Sequence, residues 1–92
     1  MSLSTENKFA QKVLNNPGQP HVYTLGGLPI IEVTAHTENG EPVLSSRYAG
    51  RPVRTDQRGA FSRHGFDTPA NRAWVRAQIH RATYHARKML AA

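Results

Sequence analysis

Residues 31–48 read IEVTAHTENGEPVLSSRY, and this stretch decides the fold. At its centre, Asn39-Gly40 supplies two neighbours that tolerate positive φ, which a two-residue type I′ hairpin demands. Taking them as the turn fixes the register of two strands. Glu38 stands opposite Glu41, His36 opposite Val43, Ala35 opposite Leu44, Glu32 opposite Arg47 and Ile31 opposite Tyr48. One face then carries Ile31, Val33, Ala35, Leu44, Ser46 and Tyr48. The other carries Glu32, Thr34, His36, Val43, Ser45 and Arg47. That alternation belongs to an antiparallel pair covered on one side.

Upstream, Gly26-Gly27 marks a second hairpin joining a strand over 21–25 to one over 29–37, with Pro29 tolerated near a strand start. Counting from that turn leaves Tyr23 and Ile30 on the polar face. A third strand runs over 42–48. Before the strands, a helix over about 4–15 opens on Ser4/Thr5 as capping residues. Phe9, Ala10, Val13 and Leu14 form its apolar stripe. Asn15-Asn16-Pro17-Gly18 ends it, because proline cannot continue a helix and its predecessor avoids α geometry.

Downstream, residues 49–67 show no clear period. They hold Pro52, three glycines and four arginines, with Val53, Phe61 and Phe66 as apolar anchors. This reads as a basic loop, and a connection so long within a small domain is usually functional. A final helix over about 69–91 follows, with Thr68 as cap and Pro69 at the first helical position. Its core stripe reads Val75, Ile79, Ala82, Ala86, Met89 and Leu90. Arg76, His80 and Arg87 lie on one flank, and Trp74, Arg81, His85 and Lys88 on the other, with Tyr84 pointing away from the core. The expected fold is α+β: one small domain over 1–92, ordered α-β-β-β-α, a three-stranded antiparallel meander with flanking helices.

Ninety-two residues allow one modest core. No apolar run approaches the roughly 20 residues of a membrane span. The polar opening MSLSTENKF has no secretory core, which leads us to expect a cytoplasmic protein. With no cysteine, disulfides and thiolate metal sites are excluded.

Charge changes sign along the chain. Residues 1–46 set two lysines against four glutamates, −2, whereas residues 47–92 set ten cations against two aspartates, +8. Nine of those ten are Arg, whose planar fork binds phosphate bidentately and stacks on bases. Uncompensated like charges repel within a fold, so a half-chain of this kind is suited to an anionic partner.

Catalytic and metal patterns do not emerge. His80 and His85, five apart, sit about 140° apart around a helix and cannot share a metal as an i,i+4 pair would. Ser62-Arg63-His64-Gly65 is no nucleophile elbow, although His64 is where a hydrolase reading would start. Leu25-Gly26-Gly27-Leu28 lacks the lysine and spacing of a phosphate loop. We therefore expect no enzyme, no cofactor, no metal and no small-molecule substrate. What remains is arginine interleaved with aromatics, a combination suited to unpaired bases and their phosphates. The candidate partner-binding residues are Arg47, Arg51, Arg54, Arg58, Arg63, His64, Trp74, Arg76, Arg81 and His85, the loop arginines ahead of the helical ones. Tyr48 fits the core against Ile31 better than a site, and Phe61 and Phe66 fit better as pins for the loop.

The opening MSLSTENKFAQKVLNN, the Asn39-Gly40 meander, the stretch RYAGRPVRTDQRGAFSRHGFDTPANRAW and the basic closing helix together resemble the small phage-encoded type I-F anti-CRISPR proteins. The resemblance covers the whole chain. It implies a stoichiometric inhibitor of a crRNA-guided surveillance complex, acting in the host bacterial cytoplasm, contacting backbone Cas subunits and in some cases the guide RNA (crRNA), and blocking target DNA. Those proteins share no residue pattern, so the candidate residues come from the charges alone. A basic inhibitor cannot mimic DNA, which favours contact with guide RNA. The rival expectation is a stand-alone DNA- or RNA-binding accessory protein whose closing helix enters a groove or follows a backbone.

Overall fold

The computed structural model describes residues 4–48, 54–59 and 65–91. In chain order the elements are α1 (Thr5–Asn15), β1 (His21–Leu25), β2 (Leu28–Glu38), β3 (Glu41–Tyr48), β4 (Arg54–Arg58) and α2 (Pro69–Ala91). The strands form one antiparallel sheet in the order β1-β2-β3-β4. Both helices bury their apolar stripes on one face of it, making a two-layer α+β domain with no described helix on the other sheet face.

The central hairpin has the register its turn dictates. Asn39 and Gly40 both adopt positive φ, at 52° and 79°, and the eight pairs run from Glu38↔Glu41 to Ile31↔Tyr48. Ile31, Val33, Ala35 and Leu44 are buried on the helix side with Ala10, Val13 and Leu14 of α1 and Val75, Ile79 and Ala82 of α2. Burying each of the larger aliphatic chains is worth about 1.5–3 kcal/mol.

Helix α1 begins as read: Ser4 is the N-cap, its hydroxyl accepting from the Asn7 amide at 3.2 Å. It stops at Asn15, where the Asn15 and Asn16 side chains donate back to the Gln11 and Lys12 carbonyls. Helix α2 starts with the Thr68 hydroxyl accepting from the Asn71 amide at 3.1 Å.

Three expectations need correction. First, the meander has four strands, because the 49–67 stretch contains β4, paired from Val43↔Arg58 to Arg47↔Arg54. Arg-Thr-Asp-Gln-Arg has no apolar side chain to betray a strand. As an edge strand it takes its order from the β3 backbone, not from its own burial. Second, Tyr23 does not lie on the polar face. The register shifts between Tyr23 and Thr24, so Thr24 pairs with Pro29 while Tyr23 pairs with Ile31. The irregularity skips Ile30 and turns Tyr23 to the core face, where its ring meets Phe9 edge-on at 5.2 Å. Partial burial and the Glu6 carboxylate raise the Tyr23 hydroxyl above its ordinary pKa. Third, Met89 is not core. It lies on the same helical face as Ala82, two turns on, yet it is 68% exposed while Ala82 is 2% exposed. At 23 residues α2 is roughly 34 Å long, and by Met89 its core-side face is no longer covered. Val53, Phe61 and the Leu90 side chain lie outside the described residues.

Candidate nucleic-acid interface

The cations of α2 divide by what the fold asks of them. Arg72 Nε and one of its terminal nitrogens grip the two Asp67 carboxylate oxygens at 2.5 and 2.8 Å. Asn15 of α1 donates to the same carboxylate at 3.1 Å. This clamp ties the end of α1 to the start of α2. The Arg72 hydrogen bonds hold the Asp67 carboxyl below its usual pKa, while Asp67 raises that of Arg72. Arg76 donates to Asn7 Oδ1 at 2.8 Å and links the same two helices. Asn71, buried, donates from its side chain to the Phe66 carbonyl at 2.7 Å. Gln78, also buried, accepts from Ser46 of β3 at 3.2 Å.

Past Ile79 the pattern changes. His80, Arg81, Arg87 and Lys88 are all exposed, and no ion pair engages any of them among the described residues. The reason lies in the sequence: Pro69–Ala91 contains five Arg or Lys and two His but no acid. Intrahelical i,i+4 ion pairs, the usual way a basic helix compensates itself, are therefore impossible. Tyr84 stands among these cations, 64% exposed. His85 meets the Tyr84 ring edge-on at 5.6 Å and the Tyr48 ring at 6.1 Å. The Tyr48 hydroxyl is buried with no hydrogen-bond partner among the described residues. An open groove of about 640 Å³ runs between the start of α1 and this part of α2, lined by Glu6, His80, Thr83, Tyr84, Arg87 and Lys88.

The opposite sheet face is different. Arg58 pairs with Glu41 at 2.5 Å, and His36 Nε2 lies 3.0 Å from Glu38 Oε1. Arg47 is exposed there, its Cα opposite that of Arg54. Glu32 and Asp56 share the face, so its charges are of both signs.

The ten candidate residues thus fall into four groups. Arg51, Arg63, His64 and the Arg54 side chain lie outside the described residues, although the Arg54 backbone belongs to β4. Arg58 and Arg76 are engaged within the fold. Trp74 is half-buried and packs against the core. Arg47, Arg81 and His85 are exposed, the first on the sheet and the other two on α2. The preference for the loop over the helix overlooked His80, Arg87 and Lys88. Their signal was legible: they stand four before, three after and four after Tyr84, and so share its helix face.

Among the described residues, no three His, Asp or Glu side chains are placed to hold a metal, and no helix is long and apolar enough to cross a membrane. No protein-family model, characterised protein or solved structure matches the chain.

Proposed function

We propose that this chain is a phage-encoded, non-enzymatic inhibitor that binds a type I-F crRNA-guided surveillance complex and keeps target DNA from pairing with the guide. The observation that carries the reading is the acid-free helix α2, whose outer cations make no ion pair among the described residues. Like charges left unpaired on one helix cost stability unless an anionic partner compensates them. The guide RNA of such a complex offers phosphates and splayed bases beside protein subunits, and both suit Arg and aromatic side chains. The basic second half-chain, at +8, argues against imitation of DNA and for contact with RNA at a protein–RNA surface. Arg47 on the sheet and the undescribed arginines at 51 and 63 would extend the contact to backbone subunits.

The test is affinity capture from cells that express the surveillance complex, followed by target-DNA binding with and without the chain. The expected result is a stoichiometric complex that no longer shifts target DNA. Failure to capture the complex, together with tight binding to free duplex at physiological salt, would favour a stand-alone DNA-binding protein instead. The acid-free helix supports that second reading too, since a basic helix can enter a groove.

A further inference from the structure

Every neighbour of Tyr84 at three and four positions along α2 is basic: His80 and Arg81 before it, Arg87 and Lys88 after it. On a helix these are the side chains that surround a residue on its own surface. All four are exposed, and Tyr84 is the one exposed ring among the described Phe, Tyr and Trp residues. The frame from His80 to Lys88 spans about 12 Å of helix axis, long enough to reach the phosphates on both sides of one stacked nucleotide.

We propose that Tyr84 and its four basic neighbours form a nucleotide subsite: the ring takes one unpaired base of a single strand, and Arg81, Arg87 and Lys88 hold its flanking phosphates. The assignment rests on the RNA-contacting reading above and names the chemistry of its contact. Three observations favour a nucleotide over an acidic protein patch. Tyr84 has no apolar companion on its helix face, whereas a protein-binding hot spot sits in a contiguous, desolvated apolar setting. The exposed Met89 points to a different side of the helix. The ring is also pre-oriented, since His85 braces it at 5.6 Å and is itself braced by Tyr48 at 6.1 Å. An aromatic platform fixed in advance loses less entropy on stacking. Beside it, the groove lined by Glu6, His80, Thr83 and Arg87 leaves room for the sugar and the next base.

The experiment uses the full chain at low salt and two fluorescently labelled RNA strands of equal length, one carrying bases and one abasic. Wild type should bind the base-bearing strand more tightly than the abasic one. Tyr84→Ala should weaken the base-bearing strand about tenfold and leave the abasic strand unchanged, while Tyr84→Phe should keep wild-type affinity for both. The triple change Arg81→Gln, Arg87→Gln, Lys88→Gln should weaken both strands and flatten the salt dependence by about two to three in slope. Circular dichroism should show each variant folded, because all the altered side chains are exposed. The proposal is overturned if wild type does not distinguish the two strands, if Tyr84→Ala binds both like wild type, or if it loses equally on both. These outcomes are independent of the inhibitor reading. A chain that fails to capture any surveillance complex but stacks a base on Tyr84 keeps this subsite. One that captures the complex and shows no Tyr84 dependence on free strands loses it.

Discussion

The two halves of α2 are both basic and free of acid, yet their employment is opposite. Residues 69–79 spend every polar side chain that could reach the domain: Asn71 on the Phe66 carbonyl, Arg72 on Asp67, Arg76 on Asn7, Gln78 on Ser46. Residues 80–91 bury Ala82 but leave Tyr84 and Met89 exposed and their cations without partners among the described residues. Basic content alone therefore says little about binding. What matters is whether a carboxylate or amide bonds to them, and among the described residues the sheet, α1 and Asp67 do so only for the first half. The first half should be sensitive in stability, and the second insensitive in stability yet sensitive in binding.

The largest test of that contrast is Ile79→Ala. Ile79 is fully buried between α1 and the sheet, so the truncation should cost about 2–4 kcal/mol, read from urea unfolding. A cost near zero would mean that the first half is not the anchor. Next comes Asn71→Ala. It removes a buried side-chain donor from the Phe66 carbonyl, which keeps the Thr68 amide at 2.9 Å, so the loss is that of one buried hydrogen bond, about 1.5 kcal/mol. The position is tightly enclosed, since a Cβ built on Gly59 would stand 3.3 Å from Asn71 Oδ1.

Asp67→Asn is smaller, about 1 kcal/mol after allowance for solvent screening, and it carries a pH signature. The Arg72 hydrogen bonds depress the folded pKa of Asp67 below its unfolded value. The clamp therefore contributes fully above the unfolded carboxylate range, about pH 4. Its contribution falls away as pH drops through the depressed folded value. Wild type should lose stability on that acid limb more steeply than Asp67→Asn, as measured by melting temperature across the range. Equal slopes would show that the clamp does not couple the helices.

The central hairpin was legible because Asn39-Gly40 leaves one turn type and the pattern beside it leaves one face to bury. The same counting failed at Gly26-Gly27. A bulge is a one-residue slip, and here the gain comes from a distant partner: Tyr23 reaches Phe9 of α1 only after the slip. Strand β4 was illegible because none of its residues is apolar, and its pairing belongs to β3. Met89 was misread because helical periodicity gives the face but not where the opposing layer ends. The site followed the same logic. The sequence displayed the cations, but only geometry separates Arg72 and Arg76, consumed by Asp67 and Asn7, from Arg81 and Arg87.

Tyr48→Phe probes the seam between the two halves, where β3 ends against His85. The Tyr48 hydroxyl is buried without a partner among the described residues. Removing it should stabilise the fold by about 0.5–1 kcal/mol, because a buried polar group without a hydrogen bond costs more than an apolar atom in its place. The ring itself would remain to brace His85, and through it Tyr84.

The smallest expected effect is the most discriminating. Arg81→Gln with Arg87→Gln removes two exposed cations from a helix that has no acid to pair them. In an ordinary surface helix such a change forfeits ion pairs and costs a few tenths of a kcal/mol. Here no ion pair among the described residues engages either guanidinium, and relief of like-charge repulsion acts in the opposite direction. The double variant should melt at or slightly above the wild-type temperature, within about 0.5 kcal/mol, and raising the salt should narrow even that difference. A clear loss of stability would mean that these guanidinium groups serve the fold after all, and that the second half of α2 differs from the first in exposure but not in purpose.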